Sequence, residues 1–202
     1  MRDFDPRAVG RRECGAWVAY YRRQWARFLI FAVGMVRAGF TMSWPRTLHG
    51  AWLVLRANQL WAPAEGNDPA GARRCMRRFY ELVVRSHAEP FDTAEAARLE
   101  VEWWRIHRES QRNLPTRADP ELVEALTTLY AHIYRVEPDT VRLAATERAE
   151  AMAISDRWVA DGCDPASAAL HTERAALVRS YAALLAAVHN PEPSSAPASS
   201  ST

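Results

Sequence analysis

The sequence predicts a wholly α-helical, single-domain bundle of about six to seven helices, followed by a short tail without a core. Three features carry that expectation. Asp-Pro steps recur along the chain, apolar residues return at intervals of three and four, and no stretch alternates apolar with polar residues as a half-buried strand does. Asp suits the residue that caps a helix because its carboxylate accepts otherwise unpaired backbone N–H groups. Pro suits the first helical position because its missing N–H would be unpaired there. Asp5-Pro6, Asp68-Pro69, Asp119-Pro120 and Asp164-Pro165 therefore read as helix starts, Ser43-Trp44-Pro45 and Glu137-Pro138 as looser versions, and Asp92 with Glu95 as a capping box.

In chain order the first element is a long helix over 13–40. Its segment Phe28 to Val36 has no polar face, which predicts a helix buried on all sides at the centre of the bundle, with Gly34 and Gly39 allowing close packing. The run stops at Arg37, about half the ~20 residues a membrane span needs. An interfacial segment flanked by Arg22, Arg23 and Arg27 is the alternative. Further helices are expected over 45–61, 69–87, 93–112, 120–135, 138–160 and 165–189. In the third, Ala72, Cys75, Met76, Phe79, Leu82 and Val83 form one apolar stripe; in the fifth, Leu122, Leu126, Leu129 and Ile133 do so; in the last, Leu170, Leu177, Tyr181, Leu184 and Val188. Asp161-Gly162 stops the sixth, since Gly accepts a left-handed cap. From residue 190 the chain is Ser/Pro/Ala-rich and cannot bury enough apolar surface to order itself.

The 202 residues are 49% hydrophobic, enough for a real core, and their 26 basic residues are all arginine. Residues 1–61 hold ten Arg against Asp3, Asp5 and Glu13, whereas residues 91–202 hold eleven Arg against seventeen acids. The expected explanation is that the two halves pair with each other; a basic surface for nucleic acid or anionic lipid is the alternative. Cys14, Cys75 and Cys163 are odd in number and widely spaced, so neither a disulfide framework nor a cysteine zinc site is expected. With no secretory signal at the N-terminus, a cytoplasmic location is the expectation.

Chemistry is sought first on the helix over 93–112, where Glu100, Trp104, His107 and Gln111 share a face. A carboxylate and an imidazole facing an interior can exchange a proton, bind a metal or flank a haem. Asp156, beside small apolar residues, is either an exposed edge or a buried anchor for an arginine such as Arg37. Trp44, Trp52, Trp61, Trp103 and Trp104, with Arg56, Gln59 and Arg37, are candidate lining for a small apolar ligand, because a buried indole wants a partner for its N–H. Arg73, Arg74, Arg77 and Arg78 resemble a phosphate-contacting row, but Glu81 can pair with them and no nucleic-acid-binding motif surrounds them. No Glu-x-x-His, His-Glu-x-x-His, Gly-x-Ser-x-Gly or phosphate-binding Gly-rich loop occurs, which sets aside di-iron bundles and the familiar hydrolase and nucleotide-binding signatures.

The segments Asn67 to Arg74, Phe79-Tyr80 and Ala96 to Gln111 resemble a family of actinobacterial helical proteins to which no activity is assigned; the similarity runs through most of residues 11 to 189. A fainter likeness, through Phe28 to Phe40, Arg46-Thr47-Leu48, Trp104 to Arg108 and Asp119 to Leu122, is to the helical haem oxygenases of the latex-clearing and mycophenolic-acid type. Where that family carries a His-Pro pair in its first apolar helix, this chain has Gly34-Met35. The resemblance implies a central cavity faced by His107. Two functions follow as expectations. One is a non-catalytic bundle, without cofactor, acting through protein contacts or by holding a small apolar ligand between helices. The other is a haem- or metal-dependent oxygenase-like enzyme using His107, Glu100 and an arginine.

Overall fold

The computed structural model describes residues 1–189, and the expected tail lies outside them. Eight α-helices and no strands are present among the described residues: α1 (Pro6–Tyr21), α2 (Trp25–Phe40), α3 (Trp44–Trp61), α4 (Pro69–His87), α5 (Thr93–Gln111), α6 (Pro120–Tyr134), α7 (Pro138–Ala160) and α8 (Ala169–His189). Four aspartates cap helices as their chemistry dictates. Asp5 accepts from the Arg7 N–H at 2.9 Å, Asp68 from Gly71 at 2.7 Å, Asp92 from Ala94 at 2.8 Å and Asp119 from Glu121 at 2.9 Å.

Two elements depart from expectation. The helix expected over 13–40 is two helices, Pro6–Tyr21 and Trp25–Phe40, broken at Arg22 to Gln24, which makes eight where six to seven were expected. The break is a Schellman turn in which Gln24 N–H donates to Ala19 O, Arg23 N–H donates to Tyr20 O, and Arg23 takes the left-handed φ of 56°. Glycine usually marks such a turn, and an arginine at this position leaves no mark in the sequence. Asp164-Pro165 also starts no helix. The Asp164 carbonyl accepts the Trp158 indole N–H at 2.7 Å and closes a tight turn with Ser167, and α8 begins only at Ala169.

Each helix packs on its neighbours in the chain, and α8 returns to pack on α1, so the eight helices close a ring. At that last seam the backbones nearly touch: a Cβ on Gly10 would lie 2.9 Å from the Val178 backbone nitrogen. Only glycine allows this approach. None of the eight described helices occupies the centre of the ring. The apolar α2, expected there, is a member of its wall; it buries Phe28, Ala32 and Val36 inward and leaves Ile30 exposed. An all-round apolar pattern had implied burial on all sides, but a helix in a ring needs only its inner face covered. No described helix is long and apolar enough to cross a membrane.

The expected pairing of the basic and acidic halves is not what the arginines do. Among the described residues one ion pair joins residues 1–61 to residues 91–189, and it runs the other way, from Glu13 to Arg148. Most N-terminal arginines lie at the surface and bond, where they bond at all, to backbone carbonyls or neutral side chains.

Candidate functional site

Closing the helices into a ring leaves a cavity of about 190 Å³ at the centre, to which all eight helices contribute. Most of its wall is apolar or aromatic, supplied by residues such as Trp17, Phe28, Val54, Phe79, Trp104 and Leu184. One part is strongly polar. Arg148 of α7 donates through one terminal nitrogen to Glu13 Oε1 of α1 at 2.5 Å and through the other to the Tyr130 hydroxyl at 2.9 Å. The second Glu13 oxygen accepts the Tyr181 hydroxyl of α8 at 2.7 Å. Nearby, Glu100 of α5 accepts the Tyr80 hydroxyl at 2.7 Å and the Trp104 indole N–H at 3.3 Å. The Arg148 guanidinium lies 5.3 Å from the Trp103 ring centre and links the two groups.

Burial sets the protonation states. It raises the Glu100 carboxyl above its ordinary value, with Arg148 and the bonds from Tyr80 and Trp104 opposing the shift. Burial also raises Tyr80, Tyr130 and Tyr181, with Glu100 adding to the effect at Tyr80 and Glu13 at Tyr130 and Tyr181. The phenols therefore stay protonated donors at neutral pH. Two further donors, Arg148 Nε and Trp103 Nε1, are buried and make no well-formed hydrogen bond among the described residues, although Trp103 is near enough to Glu100 to help hold its carboxyl down. Unpaired buried donors cost roughly 1–3 kcal/mol each, so these call for an acceptor, which a water or a ligand in the cavity can supply.

A second cavity of about 100 Å³ lies behind Trp103 and Trp104, which line both. There His107 Nε2 meets both oxygens of Asp156, at 3.1 and 3.2 Å, and the Gln111 amide donates to Asp156 at 2.7 Å and to the Tyr21 hydroxyl at 3.1 Å. Asp156 is thus the buried anchor, held by His107 and Gln111 and not by Arg37. Trp61 also lines this cavity, with the Arg108 guanidinium 4.2 Å from its ring centre.

The sequence placed Glu100 and His107 on one face, and their spacing does so. Their side chains nevertheless serve different cavities, because the Trp103–Trp104 pair stands between them. Trp61, Trp103 and Trp104 line cavities. Trp44, Trp52, Arg56, Gln59 and Arg37 line neither: Trp44, Trp52 and Arg56 are exposed, Arg56 bonds Gln59, and Arg37 stacks on Trp44 and bonds the Met42 carbonyl. On helical spacing alone an outward tryptophan on α3 cannot be told from an inward one when the neighbouring turns are also apolar.

Sequence reasoning missed Glu13, Tyr80, Tyr130, Arg148 and Tyr181. A signal for two of them was present. Arg148 interrupts the buried series Ala144, Ala145, Ala151 and Met152, and Glu13 sits on the stripe of Val9 and Ala16; a charge within a core stripe marks a polar site. The tyrosines carry no such mark, since a phenol suits both core and surface.

Haem does not fit these residues. No histidine lines the larger cavity, His107 has its Nε2 engaged by Asp156, and 190 Å³ is close to the roughly 150 Å³ that admits benzene. Among the described residues no three His, Cys, Asp or Glu side chains gather as a metal site. Comparisons with protein-family models, curated proteins and solved structures give no match.

Proposed function

We propose that the protein binds a small, mostly apolar molecule in the central cavity, with one hydrogen-bonding group of the ligand turned toward Arg148, Trp103 and Glu100. The observation that carries this reading is the polar wall in an otherwise apolar cavity. A buried ion pair is often no more stabilising than well-packed apolar residues of the same volume, so folding alone gives little reason for Glu13, Arg148 and Glu100 to face a void. The volume suits a ligand of roughly six to ten non-hydrogen atoms.

Thermal-shift and calorimetric titration with benzene, phenol and acetophenone test this. Phenol or acetophenone should bind saturably with sub-millimolar Kd and benzene more weakly. Val54→Phe, which fills the cavity from α3, should abolish binding while leaving the circular dichroism unchanged. No saturable binding by any of the three, or equal binding by Val54→Phe, would refute the reading.

A second, enzymatic reading is favoured by one specific geometry. The Asp156 carboxylate holds His107 as a carboxylate holds a general base, beside a cavity that shares a tryptophan wall with the first. It predicts proton exchange at a small carbonyl compound in the second cavity: acetone in deuterated water should take deuterium into its methyl groups, and His107→Gln should stop this without changing phenol binding in the central cavity. Phenol binding without deuterium uptake by acetone would leave the first reading standing and remove this one.

A further inference from the structure

The outer surface of α2 and α3 has a composition that neither cavity explains. On α3, Trp44, Leu48 and Trp52 follow one another at intervals of four and are 59%, 54% and 51% exposed. On α2, Ile30 is 70% exposed. Ile30 and Arg37 lie seven residues apart, hence on one stripe of α2, and the Arg37 guanidinium sits 5.2 Å from the centre of the Trp44 ring. Helices α2 and α3 pack side by side, so these groups belong to the outward side of a single helical hairpin. Isolated exposed apolar residues are normal, but four large ones on adjacent helices are a patch.

Charge says what the patch faces. From residue 1 to Ala64 the chain carries ten arginines against three acids, of which Glu13 is buried against Arg148 and Asp3 and Asp5 lie exposed just ahead of α1. No carboxylate from α1, α2 or α3 therefore reaches the surface, while Arg7, Arg11, Arg22, Arg23, Arg27, Arg46 and Arg56 are exposed. We infer that this face docks on an anionic lipid surface, with Trp44, Leu48, Trp52 and Ile30 entering the boundary between headgroups and acyl chains and the arginines lying among the phosphates.

Tryptophan prefers that boundary because its ring is apolar and its N–H polar, and surface-bound helices combine bulky apolar residues with flanking arginines for the same reason. Each arginine near an anionic leaflet adds attraction that falls away within a Debye length. A second copy of the chain is a poorer occupant. A two-fold contact would set this arginine-rich surface against itself, with no exposed acid on α1 to α3 to answer it. Nucleic acid would use the arginines but give Ile30 and Leu48 nothing apolar to enter.

Co-sedimentation of the full chain with vesicles tests the inference. The probes are phosphatidylcholine alone and phosphatidylcholine mixed with phosphatidylglycerol, each at low and high salt. The protein should pellet with the mixed vesicles at low salt, far less with phosphatidylcholine, and progressively less as salt rises. The triple variant Trp44→Ala, Leu48→Ala, Trp52→Ala removes only exposed side chains and should keep the wild-type circular dichroism and thermal midpoint. Its binding to mixed vesicles should weaken about tenfold or more. Failure of the wild type to bind mixed vesicles at low salt would overturn the inference. So would undiminished binding by the triple variant, since arginines alone would then suffice. Concentration-dependent dimerisation that the triple variant abolishes, without lipid binding, would assign the face to a second copy. Retention on duplex DNA that is equally strong in the triple variant, again without lipid binding, would assign the arginines to nucleic acid.

Discussion

Glu173 of α8 gives the sharpest quantitative test of how the interior is built. Its side chain is fully buried beside Cys14 and Ser155, and neither carboxylate oxygen has a hydrogen-bond partner among the described residues. Cys14 and Ser155 are close by, yet the Cys14 thiol is directed to the Leu170 carbonyl at 3.7 Å and Ser155 Oγ is itself unpaired. Burial pushes the carboxyl from its ordinary 4.5 up to about 8, with Cys14 and Ser155 opposing and Glu13 adding to the shift. Between those two values the folded protein keeps a proton that the unfolded chain releases. The contribution of this group to stability is therefore complete below pH 4.5, falls as pH rises, and levels off above about pH 8. The difference of 3.5 units corresponds to a loss of about 5 kcal/mol over the whole window, of which roughly 3 kcal/mol is gone by pH 7. Glu173→Gln, neutral at every pH, removes this dependence. It should match the wild type near pH 4.5 and exceed it by about 3 kcal/mol at pH 7, which for a chain of this size is roughly 6–12 °C in Tm. Urea unfolding of both proteins from pH 4.5 to 9 is the assay. A Gln variant no more stable than wild type at pH 8, or an advantage that stays constant across the series, would refute the reasoning.

Two further predictions concern the ring and its polar centre. Arg148→Met leaves Glu13 buried without its cation and should cost about 3–5 kcal/mol in denaturant unfolding; adding Glu13→Leu should recover most of that while narrowing the preference for phenol over benzene, since Glu100 and Trp103 remain in the wall. If the double variant is no more stable than the single, the ion pair is not the source of the loss. Gly10→Ala should destabilise by about 1–3 kcal/mol, because its methyl group would press on the Val178 backbone and prise α1 from α8. A neutral effect in the same assay would mean that the α1–α8 seam can yield.

Secondary structure was legible wherever local chemistry decided it. Asp5, Asp68, Asp92 and Asp119 cap helices because a carboxylate two or three residues from free N–H groups can bond them locally. The stripe on α6 that holds Leu122, Leu126, Leu129 and Ile133 is buried as its spacing requires. Asp164 makes the same capping bond, to the Ala166 N–H at 2.9 Å, yet starts no helix, because its carbonyl is taken by the Trp158 indole six residues back; the break at Arg23 was invisible because the turn that makes it uses no residue peculiar to it.

The candidate site divides along the same line. Glu100, His107, Trp103 and Trp104 were found because a helix fixes which residues share a face, and Asp156 was found as a carboxylate set among small apolar neighbours. Which polar groups meet across helices depends instead on the closure of the ring. Glu13 and Arg148 are 135 residues apart, Tyr181 and Glu13 are 168 apart, and His107 and Asp156 are 49 apart. The sequence by itself determined an all-helical chain, most of its helix starts and the stripes that turn inward, because those follow from capping and periodicity within a few turns. Only the tertiary structure decided that the helices form a ring and not a bundle around a central helix, that α2 and α3 leave Ile30, Trp44, Leu48 and Trp52 outside, and that the enclosed space has one polar wall. Those outcomes rest on contacts between distant segments, whose geometry is set by how all eight helices pack at once.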